Sequence, residues 1–423
     1  LTTKRRTTAG NTTVPTNGEA PAPAAPKITH EPDPRRALKL VKQLMAIEGP
    51  SGREAAVARY VKDALVEAGL DPAAIEHDTA HNKTRIAGEV GNLIVTLPGT
   101  IRAPRRMLSA HLDTVPICVG AQPIERYDYL VSGNPHTGLG ADNRGGVAVV
   151  LTAALEILRN ELPHPPLTFF WPVQEEVGID GVRNAQLSRL KRPKLAFNWD
   201  GGTPDKLTVG ATGAYRLTID IAGIASHAGI APEQGVSAIV IASLAIADLY
   251  RHGWHGLIRK GRSEGTSNIG VIQGGAATNV VTEHVQIRAE ARSHDPKFRD
   301  RILAEIEAAF HKATDAVEDA TGRKGKVTIE SHIDYESFEL DDDEPCVLAA
   351  EAAVRASGDE PTRAIADGGL DANWLTSRGI PTVSLGCGQQ NAHTILERLY
   401  IPWYQQACRI ALCLATATES SDG

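Results

Sequence analysis

Arg106–Pro116 reads RMLSAHLDTVP: a short apolar run that stops abruptly at an imidazole and a carboxylate, His111 and Asp113. The same pattern recurs in LTFFWPVQEEVG (167–178), which ends at Glu175 and Glu176, and in KLAFNWDGG (194–202), which ends at Asp200. Near-continuous apolar runs of this length are the habit of strands buried on both faces, as in parallel sheets. Between the first two lies GLGADNRGGVAVVLTAALEILRN (138–160), in which a helix is expected from about Val147 to Arg159. Strands alternating with helices predict an α/β domain with a mixed, mostly parallel sheet and helices on both faces. In such sheets ligands gather at the carboxyl ends of the strands. The polar residues closing each run are therefore expected to converge, joined by Asp142 of the GLGAD turn and by His393, which follows the later run TVSLGCG (382–388).

Upstream, Leu38, Val41, Leu44 and Met45 recur at helical spacing, and GPSG then breaks the chain. Ser51 with Glu54 three residues on predicts a capping box for the next helix. Downstream the texture changes near Gly213. YRLTIDIAG, a helix over 237–250, SNIGVIQGG, VQIRAEARSHD, a helix over 296–317 and KVTIESHID spell β-α-β-β-α-β, an inserted α+β domain. After Leu340 the helix–strand alternation resumes and closes with a helix over 405–417. The expected organisation is a disordered leader (1–33), a discontinuous catalytic domain (34–212 and 341–418), an inserted domain (213–340) and a short tail (419–423). The leader is rich in Thr, Pro, Ala and Gly and cannot bury enough surface to offset its ordering entropy.

Composition narrows the function classes. Of 423 residues 42% are hydrophobic and 22% charged, which suits a packed core and rules out a mainly disordered chain. Lys plus Arg number 44 against 51 Asp plus Glu, a net charge of −7, and aromatics are 4%. No nucleic-acid partner and no membrane partner are expected. The five cysteines show no Cys-x-x-Cys spacing and are read as reduced thiols, which predicts a cytoplasmic protein. GxSxG and HExxH are absent, which removes serine hydrolases of the elbow type and one-zinc helix proteases.

Several carboxylates gathered at one place repel, and some would have to protonate unless cations intervene. Two histidines and three carboxylates without thiolate suit zinc, cobalt or manganese, and the number of anionic donors suits two ions. A further carboxylate is then needed as general base. Physics alone does not choose between Glu175 and Glu176 for that role.

SAHLDTVP (109–116), GLGADNRGGVA (138–148), PVQEEVG (172–178), NWDGG (198–202), ASHAG (225–229), and GGLDANWL (368–375) followed by GIPTVSLGCG (379–388) and His393 occur in one order. In this the chain resembles the two-metal (di-zinc) exopeptidases that include peptidase T and glutamate carboxypeptidase G, and is more similar to the peptidase T-like members. The resemblance spans residues 35–418. It implies that Asp142 bridges two divalent metal ions, most simply zinc, with His111 and Asp200 on one and Glu176 and His393 on the other. Glu175 would be the base that activates a metal-bridging water. Asp113 would orient His111, and a cis peptide would join Asp142 to Asn143. The inserted domain would be a lid or dimerisation domain. Its His227 would steady the oxyanion, and Asn279 and Arg292 would bind substrate. Asp rather than Glu at position 200 favours an aminopeptidase. The function expected is a tripeptidase or aminopeptidase acting on short peptides, with a homodimer formed through the lid. A carboxypeptidase or N-acyl-amino-acid amidohydrolase of the same family is the alternative, and a non-catalytic metal-binding protein the remote one. His136, His164, His252, His255, His284, His294, His311 and His332 are read as surface or core residues, Asp371 as a cap or turn residue with a supporting role near the site as the alternative, and Cys118 and Cys387 as small buried apolar groups.

Overall fold

The computed structural model describes residues 28–416. The predicted tail and all but the last residues of the predicted leader lie outside them. Within that remainder, His30 sits 3.1 Å from Glu156, Arg409 donates to Glu31 at 2.7 Å, and Asp33 caps the helix Pro34–Met45 by accepting from the N–H groups of Arg35 and Arg36. Such a cap is worth about 1 kcal/mol.

A nine-stranded sheet organises the larger part of the chain. Its centre is four parallel strands in the spatial order Leu167–Trp171, Arg106–Ser109, Leu195–Trp199 and Thr382–Leu385. Ser109 lies beside both Phe170 and Asn198, and Leu385 beside Trp199, so all four strands end at one edge. Antiparallel strands extend both flanks, Leu93–Leu97 on one side and Lys206–Ala211 on the other. Alternation sorts the side chains. Leu108, Phe169, Trp171, Phe197, Trp199 and Val383 face the principal core, with the helices Pro34–Met45, Ala55–Glu67, Ala141–Asn160, Pro345–Ala356 and Ile401–Thr416. Met107, Phe170 and Ala196 face a smaller core closed by the short helices Asp180–Arg183 and Asp371–Ser377. Both faces are covered, but the long helices crowd one of them. Each fully buried large apolar side chain contributes about 1.5–3 kcal/mol of transfer free energy.

The strands of the predicted insertion form their own five-stranded antiparallel sheet. The helices Ala238–Arg251 and Pro296–Ala316 pack on one face of it, burying Ile241, Ala245, Leu249, Ile302, Ile306 and Phe310 against Leu217, Ile219, Ile221, Val285 and Ile287. Gly256–Lys260, which the sequence reading left out, adds an edge strand to the expected pattern. The sheet's other face carries Arg216, Arg288, Glu290 and Asp334. It borders a groove of about 560 Å³ whose far wall is Glu176–Gly178. Arg85 crosses between the two bodies: its guanidinium lies 3.0 Å from Asp180 on one side and 2.7 Å from Asp334 on the other.

A small third sheet was not expected. It pairs Pro123–Arg126, Tyr129–Ser132, Arg398–Tyr400 and Gln389–Gln390. The predicted capping box is not formed either. Asp113 takes the Ser51 hydroxyl at 2.6 Å, and Glu54 accepts the N–H groups of Gly52 and Gln174 instead. The helix Ala55–Glu67 begins with Glu54 as its N-cap residue, so Ser51 lies three residues short of the capping position.

Candidate active site

The carboxyl ends of the four parallel strands deliver the polar residues to one place. His111 and Asp113 follow the strand ending at Ser109, Asp200 follows Trp199 directly, and Glu175 and Glu176 follow the strand ending at Trp171. Asp142 enters on the first turn of the helix Ala141–Asn160, where the backbone leaves helical geometry at Asp142 and Asn143 and the bond between them is cis, as expected. The Asn143 side chain secures that turn by donating to the Trp199 carbonyl at 2.7 Å and accepting the Gly146 N–H at 3.0 Å. A Cβ at Gly146 would come within 2.3 Å of Asn143 Oδ1 and 2.4 Å of the Trp199 oxygen, so only glycine allows this approach.

The donors lie within contact of one another. His111 Nε2 is 3.3 Å from Asp142 Oδ1, 3.9 Å from Asp200 Oδ2 and 4.0 Å from Glu175 Oε2. His393 Nε2 is 3.4 Å from Asp142 Oδ2 and 2.9 Å from Glu176 Oε2. Asp142 thus stands between the two histidines, with one oxygen toward each. Donor atoms of His111, Asp142 and Glu176 all fall within 4.8 Å of one another.

Asp113 sits behind this cluster, fully buried. It lies 3.3 Å from His111 Nδ1 and accepts the N–H groups of Glu175 at 2.9 Å and Glu176 at 3.2 Å. One side chain therefore orients a histidine and holds the backbone of both glutamates. Burial raises its pKa, but His111, Ser51 and the Glu175 N–H together hold it below the usual carboxylate range.

The electrostatics show how much negative charge the cluster concentrates. Burial, reinforced by neighbouring carboxylates, pushes Glu176 up to about 7 and Asp200 up to about 6, and Glu175 well above its ordinary value. Asp142 moves the other way: burial raises it, but contacts with both histidines hold it low. Hydrogen bonds to Asp142 and Glu176 raise His393 to about 10. So many acidic groups in one buried space cannot all ionise unaided. Asp142 Oδ1 is buried without a hydrogen-bond partner. Oxygen and imidazole donors, with an Asp142 Oδ1 whose sole near neighbour of opposite sign among the described residues is His111 at 3.3 Å, fit borderline or hard divalent cations. The thiols nearby do not compete, because burial pushes Cys118 and Cys387 far above neutrality.

The inserted-domain residues stand apart from the cluster. His227 bridges to Val280, and its Nδ1 accepts the Gly229 N–H at 3.2 Å. Asn279 is its neighbour, accepting the Ala228 N–H at 2.9 Å. Neither forms a hydrogen bond or ion pair with the five donors among the described residues. Arg292 is held by Glu290 at 3.0 and 3.1 Å and reaches toward the Asp367 carbonyl at 3.5 Å, in the loop leading to Asp371.

Two more residues belong to the site: Asp371, for which a supporting role was the lesser of two readings, and Gln389, which was missed. Asp371 is fully buried with both carboxylate oxygens unpartnered, and burial lifts its pKa to about 8. Gln389 donates to Asp200 Oδ1 at 3.2 Å. An isolated Gln carries no sequence signal. The position of Asp371 within GGLDANW was the one available clue to its burial.

Comparison with known proteins identifies a family. The model of peptidase family M20/M25/M40 matches residues 107–417. The uncharacterized protein YqjE of Bacillus subtilis is 31% identical over 369 residues, covering 87% of this chain and 94% of that one. A probable carboxypeptidase of Aspergillus clavatus is 30% identical over 65% of this chain and 62% of its own length. Among solved structures, a tripeptidase from Staphylococcus aureus superposes with a TM-score of 0.82 at 29% identity, covering 92% of this chain and 99% of that one. The aminopeptidase PepT of Bacillus cereus gives 0.78 at 29% identity, covering 91% and 98%.

Proposed function

Since the chain belongs to peptidase family M20/M25/M40 and is a metallopeptidase, we propose that it is a tripeptidase or aminopeptidase that removes the N-terminal residue of short peptides. The observation that carries this reading is the likeness to a tripeptidase and to PepT over more than nine-tenths of the chain. Asp200 as the fifth donor agrees with it.

In this reading His111 and Asp200 would hold one divalent cation and Glu176 and His393 a second, with Asp142 available to both; zinc is the first choice, cobalt or manganese the next. When bound, the cations polarise the scissile carbonyl and raise the acidity of the attacking water. Glu175 takes that water's proton and delivers it to the leaving nitrogen; burial raises its pKa above the ordinary carboxylate value, which strengthens it as a base. Asp113 keeps His111 in one tautomer and fixes the glutamate backbone. Arg292 receives the peptide carboxylate, exchanging Glu290 for substrate as the lid closes. His227 steadies the oxyanion and Asn279 the substrate backbone, each needing the lid to move or a second copy of the chain to supply it. A cytoplasmic enzyme fits this substrate class, and no helix among the described residues is long and apolar enough to cross a membrane.

A panel of di-, tri- and tetrapeptides with free, N-acetylated or C-amidated ends, with products identified by mass, tests the proposal. Release of the N-terminal residue from tripeptides, abolished by N-acetylation, is expected. The similarity to a probable carboxypeptidase supports a second reading. Release of the C-terminal residue from N-acetylated peptides would establish that reading instead.

A further inference from the structure

Glu397 is a buried carboxylate that pairs with no basic side chain among the described residues. Its charge is met by backbone. Oε2 accepts the N–H groups of Leu139 at 2.8 Å and Gly140 at 2.6 Å, and Oε1 accepts the N–H of Asp142 at 2.9 Å. The Cys118 thiol donates to Oε2 at 3.4 Å. These contacts use nearly all the acceptor sites a carboxylate has.

The donors are not scattered. They are the backbone of the GLGAD turn, the segment that delivers Asp142 to the cluster. Because this is also where a helix begins, the N–H groups involved would otherwise have no intrahelical partner. Glu397 caps them from a distant part of the chain. Gly140 is left-handed, with φ +76°, and a Cβ at Gly138 would lie 3.0 Å from Glu397 Oε2 and from Cys118 Sγ, so the turn closes around the carboxylate because glycine stands there.

Glu397 also follows His393 by four residues, in the loop that returns to the strand Arg398–Tyr400. A single side chain therefore ties the backbone bearing Asp142 to the loop bearing His393, the two groups whose side chains meet at 3.4 Å. Burying an anion without a basic partner is costly even when backbone N–H groups meet it, and a turn needing only shape could be braced by a neutral acceptor. A carboxylate behind Asp142 gains when cations lie in front of it.

We propose that Glu397 is a positioning residue for the cation pair: it locks the Asp142 and His393 loops in mutual register and thereby sets the affinity of the site for divalent cations without touching them. This rests on reading the cluster as a metal centre.

The test uses the full chain, stripped with chelator and titrated with Co²⁺, with affinity from chelator competition and geometry from the visible absorption spectrum. Glu397→Gln keeps the shape but turns an NH₂ toward backbone donors, so it cannot satisfy both ends of the turn. The expected result is a 10- to 100-fold weaker Co²⁺ affinity, the usual effect of removing a group that orients a ligand, with an altered spectrum and an intact near-ultraviolet circular dichroism signal. Unchanged affinity and spectrum, with at most a lower melting temperature of the cation-free protein, would reduce Glu397 to a loop brace and overturn the proposal. Failure of the wild-type chain itself to bind Co²⁺ would overturn the metal-centre reading instead. If Glu397→Gln does not fold, Gly138→Ala, which presses on the same carboxylate, is read by the same two measurements against the same outcomes.

Discussion

In the proposed mechanism, replacing Glu175 by Gln removes the general base while leaving its surroundings nearly intact. The residue's N–H remains bonded to Asp113, and an amide has the same shape as a protonated carboxyl. Burial, with the carboxylates of Asp200, Glu176 and Asp371, raises the Glu175 pKa against the attraction of His111, so removing its charge costs the fold little and Glu175→Gln leaves folding stability almost unchanged. The cost falls on proton transfer. Loss of a positioned general base lowers kcat by about 10²- to 10⁴-fold, or roughly 3–5 kcal/mol of barrier. His111, Asp142, Glu176, Asp200 and His393 are untouched, so metal content stays at the wild-type level. Initial rates on a tripeptide, elemental analysis and a melting curve on the same preparation measure all three. A kcat within tenfold of wild type would refute the assignment. Metal lost in parallel with activity would refute it too, and would exchange the roles of Glu175 and Glu176.

Two further outcomes follow from buried charges outside the cluster. Burial, aided by Asp113, raises Glu54 from 4.5 to about 7 in the folded protein. The folded state therefore holds a proton that the unfolded state releases first, so this residue's contribution is complete below about pH 4.5 and declines as pH rises toward 7, by about 3 kcal/mol in all. Glu54→Gln should flatten the fall in stability between pH 5 and 8, read by urea unfolding at each pH, and an identical fall in wild type and variant would contradict this. Arg85→Ala should lower unfolding free energy by about 1–3 kcal/mol, because it leaves Asp180 and Asp334 short of a partner. The value is below that of a fully buried pair because the guanidinium is 37% exposed; an unchanged urea midpoint would show that Arg216 alone satisfies Asp334.

The parallel core and its polar edge were legible in the sequence for one physical reason. Strands buried on both faces have little freedom in composition, so LTFFW and LAFNW announce themselves, and the first charged residue after each marks the carboxyl end. The inserted sheet was equally readable, because alternation in YRLTIDIA and VQIRAEAR records one packed and one open face. What escaped was tertiary. Gln389–Gln390 and Arg398–Tyr400 are too short to carry a period, and they pair with each other, and Arg398–Tyr400 with Tyr129–Ser132, only once the fold exists. Ser51 and Glu54 fit a local capping rule, yet both are used by groups far along the chain. Glu397 has no local pattern at all; its partners are backbone N–H groups, which sequence does not distinguish.

The count of divalent ions per chain, in wild type and in Asp142→Ala, bears most directly on the whole account. With Asp142 shared between two sites, the wild-type chain should retain about two ions and the variant should lose both, while His111→Ala or His393→Ala weakens only one. A wild-type chain that hydrolyses peptides at full rate after exhaustive chelation, with no metal left by elemental analysis, would contradict the account at its root.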